Sequence, residues 1–156
     1  MKAATINELK QELSSIVPAE LAGICLRLAK FKKENKELLT YLLFEAGDEQ
    51  GYISNVKKEI TFQFTQINTS NLYFAKKSLR KILRITNKFI RYSGTKETEV
   101  ELLLYYCKAL KASGIPIQNN TALTNLYEHQ LKKIRKTIAS MEEDLQYDYN
   151  KELLQL

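Results

Sequence analysis

Apolar residues recur at intervals of three and four along nearly the whole chain, and this spacing predicts about seven helices. Thr5 followed by Glu8 forms a capping box that opens a short helix through Ser14, with Ile6, Leu9 and Leu13 on one face. Pro18 suits the first turn of a second helix, which continues through Leu21, Ile24, Cys25 and Leu28 to about Lys33. Asn35 is the expected cap of a third, with Leu38, Leu39, Tyr41, Leu42 and Phe44 as its core and Gly47 as its end. The fourth segment, from about Glu49 to Asn68, offers two periods. Ile53, Val56, Ile60, Phe64 and Ile67 fit a helix, whereas Ile60, Phe62 and Phe64 alternate like a strand. More positions match the helix and no partner strand is present, so a helix is expected.

The fifth segment, 71–92, is the most strongly amphipathic. Ala75, Leu79, Ile82, Leu83, Ile85, Phe89 and Ile90 fall on one side of a helical projection, with Thr86 among them. Ser70 is the expected N-cap and Ser93-Gly94 the stop. A sixth helix, from about Lys96 to Ser113, begins with Glu97, Glu99 and Glu101 and then becomes apolar on more than one side. That pattern marks a central helix packed on several neighbours. Gly114-Ile115-Pro116 breaks it. Thr121 is the expected cap of a long seventh helix, in which Tyr127, Leu131, Ile134, Ile138, Met141 and Leu145 form a heptad seam of nearly three repeats. A seam this short favours packing within the chain over a weak homodimer through the last helix. Residues after about 148 are expected to fray unless Leu153, Leu154 and Leu156 dock.

The fold class is therefore all-α: a single domain, 1–156, arranged as a bundle or as a short stack of antiparallel helical hairpins. Five Gly and two Pro leave little turn chemistry for a many-stranded sheet. A chain of 156 residues buries enough surface to fold without a metal or disulfide staple. No apolar run is long enough to span a membrane. Met1 to Glu12 lacks the apolar core of a signal peptide, so a cytoplasmic location is expected, with Cys25 and Cys107 as buried free thiols.

Charge changes the picture at one place. Seven basic residues and no acidic one lie between Phe74 and Tyr92: Lys76, Lys77, Arg80, Lys81, Arg84, Lys88 and Arg91. Without them the chain, +6 overall, would carry −1, so one helix holds its basicity. All seven fall within an arc of roughly 140°, opposite the apolar side. Such a face can neutralise nucleic-acid phosphates, with Tyr73 placed to stack on a base and Asn87 to hydrogen-bond. A charge run is more often a solvated face, here expected to be partly neutralised by neighbouring acids such as Glu97 to Glu101. Docking on a membrane surface would need the apolar side exposed, and the core needs that side.

Residues for catalysis are scarce. His129 is the only histidine, with no nucleophile near it and Leu126 three residues before it, so neither a triad nor a Glu-x-x-His metal pair is present. No phosphate-cradling glycine motif occurs, and Gly47 to Gly51 is too short for a calcium loop. Glu142, Glu143 and Asp144 are read as a solvated face. No enzyme, metal or cofactor is expected.

From Thr5 to Phe44 the chain carries a Leu-x-x-x-Leu helix (Leu9, Leu13), Pro-Ala-Glu-Leu from Pro18, the basic stretch Lys30 to Lys33, and Lys-Glu-Leu-Leu-Thr-Tyr-Leu from Lys36. This stretch resembles an uncharacterised family of small bacterial all-helical proteins, known only as a domain of unknown function. The resemblance implies a cytoplasmic bacterial protein and carries no catalytic residues with it. The expected function is a non-catalytic protein-interaction module with an unidentified protein partner. The alternative is an accessory protein that binds nucleic-acid backbones through helix 71–92.

Overall fold

A computed structural model describes residues 1–156 and contains helices and no strand. There are eight α-helices: α1 (Ile6–Ser15), α2 (Pro18–Phe31), α3 (Lys33–Thr40), α4 (Glu49–Thr65), α5 (Leu72–Ser93), α6 (Lys96–Ala112), α7 (Thr121–Ile138) and α8 (Glu143–Leu153). A π-helical turn, Tyr41–Glu45, extends α3. By its packing the chain divides into two compact units, Met1–Phe44 and Glu45–Leu156.

The capping box predicted at the start of the first unit is present. The Thr5 hydroxyl accepts from the Glu8 backbone N–H, and the Glu8 carboxylate accepts from the Thr5 N–H at 2.6 Å. The Thr5 N–H, and after it the Thr5 hydroxyl, which donates to the same carboxylate oxygen at 2.7 Å, lower the Glu8 carboxyl from its ordinary value. Pro18 occupies the first turn of α2 as expected. Asn35 does not cap α3, which starts two residues earlier; its side-chain amide donates to the Leu28 carbonyl at 2.9 Å and closes the last turn of α2. The α2–α3 hairpin is the packed pair of this unit. It buries little. Of the core predicted for the third helix only Tyr41 is buried, while Leu38, Leu42 and Phe44 are exposed, because two or three short helices cannot surround them.

The second unit has a true core. α6 packs on α4, α5, α7 and α8, and Val100, Leu102, Leu103, Leu104, Tyr106, Cys107 and Leu110 are all buried on it. This is the all-round apolar helix that the sequence places at the centre. α4 is helical through Thr65, so the alternating residues Ile60, Phe62 and Phe64 form no strand. Polar ties fix the neighbours. Tyr106 donates to the Leu79 carbonyl of α5 at 3.1 Å. Lys57 of α4 meets Glu101 of α6 at 2.7 Å, and Tyr149 of α8 reaches the same carboxylate at 3.4 Å. Burial first, and then the charge of Glu101, push the Tyr149 hydroxyl up to about 12.

The long seventh helix is two helices. The chain turns at Ala139–Glu142, where Ser140 Oγ donates to the Thr137 carbonyl at 2.7 Å and Lys96 Nζ to the Ser140 carbonyl at 2.6 Å. The heptad seam is interrupted there, and Leu131, Ile134 and Ile138 are buried in the chain's own core. The cap of α7 is Asn120 rather than Thr121; its side-chain oxygen accepts from the Ala122 and Leu123 N–H groups. Residues past 148 continue α8 to Leu153, with Tyr149 buried.

The two free thiols differ sharply. Cys107 is fully buried on α6, and burial, with a smaller contribution from the Glu128 charge, pushes its thiol up to about 12. Cys25, also expected to be buried, is partly exposed, because the short N-terminal helices surround it incompletely. A thiol reagent at pH 8 is expected to modify one equivalent in the native protein and a second only on denaturation. Prompt modification of both would contradict the central placement of α6.

Candidate nucleic-acid interface

The basic helix owes its place to its caps and its apolar stripe. Asn71, not Ser70, caps α5, accepting from Tyr73 N–H at 2.9 Å and Phe74 N–H at 3.3 Å. Ser70 is drawn back instead into a turn, donating to the Asn68 side chain. Gly94 ends the helix at φ 70°, a left-handed conformation that glycine adopts without cost, and its N–H returns to the Ile90 carbonyl at 2.9 Å. Ala75, Leu79, Ile82, Thr86 and Ile90 are buried, so the apolar side faces the core against α4 and α6.

The α5–α6 corner is locked to α4 by hydroxyls. Ser93 Oγ donates to Glu49 Oε1 at 2.5 Å, Thr98 donates to the same oxygen, and Thr95 bridges Ser93 and Thr98. Tyr52 of α4 donates to the Phe89 carbonyl at 2.9 Å. Asp48 caps α4, its carboxylate accepting from the N–H of Gly51 in the first turn at 3.0 Å, and a Cβ at position 51 would displace that carboxylate. The outer face of α5 is thereby held rigidly.

On that face Tyr73, Lys76, Lys77, Arg80, Lys81 and Arg84, with Ser78, line a trough of about 570 Å³. Tyr73 is 67% exposed at its end, its ring edge-on to Phe74 with centroids 5.5 Å apart. The other two basic residues of the run stand apart. Lys88 lies over the rings of Phe89 and Tyr92, at 5.3 and 5.9 Å. Arg91 lines a separate depression of about 400 Å³ together with Lys96 and Lys133. Asn87 is not free to recognise a ligand: its amide donates to the Leu83 carbonyl at 2.9 Å, and its oxygen accepts from Lys133 at 3.2 Å.

Two of the acids expected to neutralise the arc are engaged elsewhere, and none pairs with it. Glu99 pairs with Lys133 of α7 at 2.7 Å and Glu101 with Lys57 of α4, while Glu97 forms no ion pair. Lys76, Lys77, Arg80, Lys81, Arg84 and Arg91 form none either. The basic face is uncovered.

The chain matches no protein-family model, no curated protein and no solved structure. Its chemistry must therefore be read from its own side chains. No group of three or more His, Cys, Asp or Glu residues is placed to hold a metal ion. His129 is exposed on α7, and Glu142, Glu143 and Asp144 form the N-terminal turn of α8, where acid suits the helix dipole. No helix is long and apolar enough to cross a membrane. Two residues near the site escape sequence reasoning, Ser78 within the trough and Lys133 beside Arg91. Lys133 lies on another helix, and only packing brings it there.

Proposed function

We propose that this protein is a non-catalytic, cytoplasmic nucleic-acid-binding protein that contacts phosphate backbones through the outer face of α5. The observation that carries this reading is the absence of acidic cover: five cations line one trough and none has a carboxylate partner. Repulsion points the same way. Lys76 and Arg80, Lys77 and Lys81, and Arg80 and Arg84 are like charges one turn apart, each pair costing about 0.2–0.5 kcal/mol in the free helix. A polyanion laid along the face converts that cost into attraction.

From Lys76 to Arg84 the helix rises about 12 Å, and the five cations along it can meet phosphates of both backbones that border a groove. Tyr73, exposed at the end of the trough, supplies a ring on which an unpaired base can stack. Contacts to phosphate carry no sequence information, so binding is expected to be indifferent to sequence.

Salt titration tests the reading. With about five phosphates neutralised, log Kd against log salt should have a slope near 4–5, so affinity for mixed-sequence DNA or RNA should fall roughly 10²–10³-fold between 50 and 200 mM salt. Fluorescence anisotropy with a labelled oligonucleotide measures it. Undetectable binding at about 50 mM salt would overturn the proposal.

A further inference from the structure

The N-terminal unit leaves its apolar residues bare in a pattern that is complementary to itself. α1 carries Ile6, Leu9 and Leu13 on a narrow stripe, 81%, 46% and 41% exposed, and packs firmly on neither α2 nor α3. Ile16 and Val17, both extended, lead it away from α2. It is nevertheless a well-made helix, closed by its capping box at one end and by Ser14 and Ser15 hydroxyls returning to main-chain carbonyls at the other. Acidic Glu8 and Glu12 border the stripe on one side.

The α2–α3 hairpin presents the counterpart. A groove of about 660 Å³ has Leu26, Leu39, Leu43 and Phe44 along its floor, with Phe44 78% exposed. Its rim is basic, formed by Lys30, Lys32, Lys33 and Lys36. Of these only Lys33 has an ion pair, a long one to Glu37 at 3.6 Å.

We infer that the unit 1–44 is a self-association module, in which α1 of one copy lies in the α2–α3 groove of a second copy and the exchange is reciprocal. An amphipathic helix seated in a groove uses anchors spaced as Ile6, Leu9 and Leu13 are. The charges match on one side, where the Glu8 and Glu12 flank meets the basic rim, while Lys10 lies on the opposite flank. The area also suffices: at about 200 Å² for a free Leu or Ile, stripe and floor together expose roughly 800 Å² per copy, the contribution of one partner to a standard interface. Reciprocal exchange satisfies two-fold symmetry, since each copy gives a helix and receives one. The modest burial within the monomer is then a consequence of where the core forms.

Sedimentation of the nuclease-treated full chain at about 50 μM and 150 mM salt tests this. A dimer is expected. Leu9→Glu with Leu13→Glu should give a monomer whose second unit melts unchanged, because both residues are exposed in the single chain. Lys32→Glu with Lys33→Glu should weaken the dimer at least tenfold, and adding Glu12→Lys, which leaves the capping box intact, should restore part of it. Two outcomes overturn the inference: a chain that stays monomeric up to about 100 μM, including one whose α1 folds onto its own groove, and a dimer indifferent to all three sets of changes.

Discussion

Arg80→Glu combined with Arg84→Glu is expected to weaken oligonucleotide binding at least 100-fold at about 100 mM salt, a loss near 3 kcal/mol, and to lower the salt slope by about 2 or more. Both side chains are exposed and unpaired in the middle of the trough, so no contact within the protein is lost with them. The thermal consequence is the telling part. Glu is as good a helix former as Arg. The substitutions also turn the repulsive pair between positions 76 and 80 into an attractive one and place a carboxylate at position 84, near Lys81 and Lys88. The melting temperature should therefore hold or rise slightly while binding disappears. A variant that loses binding because it has unfolded would melt lower, and circular dichroism distinguishes the two. Unchanged binding in a folded variant would rule out the α5 face as the interface.

Leu103→Ala should have the opposite profile. Leu103 has no exposed surface, on the helix that four others pack against. Truncating it removes several buried carbons and leaves a cavity that rigid neighbours cannot fill, at a cost of about 3–4 kcal/mol. For a unit of this size that lowers the melting temperature by about 10–20 °C. Leu154→Ala, at a side chain 88% exposed, should change stability by less than about 0.5 kcal/mol. Scanning calorimetry compares the two. A drop of less than about 1 kcal/mol for Leu103→Ala would mean that α6 is not the packed centre.

The comparison of α5 with α7–α8 shows what the sequence could reveal. α5 declares itself because periodicity, charge segregation and a glycine stop all agree, and each acts within the helix itself. The break at Ala139–Glu142 has no glycine or proline to announce it. Its exposed carbonyls are met by Ser140 and by Lys96, the latter 44 residues away, and such partners exist only once the chain has folded. Caps show a similar limit: Asn71 and Asn120 each sit beside a Ser or Thr that would cap equally well on propensity, and one step of register separates the two choices. The seven cations were legible by counting. Which of them act together was not, because Lys88 is claimed by aromatic rings and Arg91 by another depression. Whether acids cover the face was also beyond the sequence, since Glu99 and Glu101 find their cations on α7 and α4 through packing alone.

The central position of α6 also bears on how the protein is made. α4 and α5 leave the ribosome before it and can cover part of its surface, but α7 and α8 follow it. Until Leu153 has emerged, about 40 residues later, a helix apolar on nearly every side lacks half of its cover. At about 5–20 residues per second that interval lasts several seconds. Nascent chains stalled near Ala112 should therefore recruit a holdase or aggregate, and chains released beyond Leu153 should do neither.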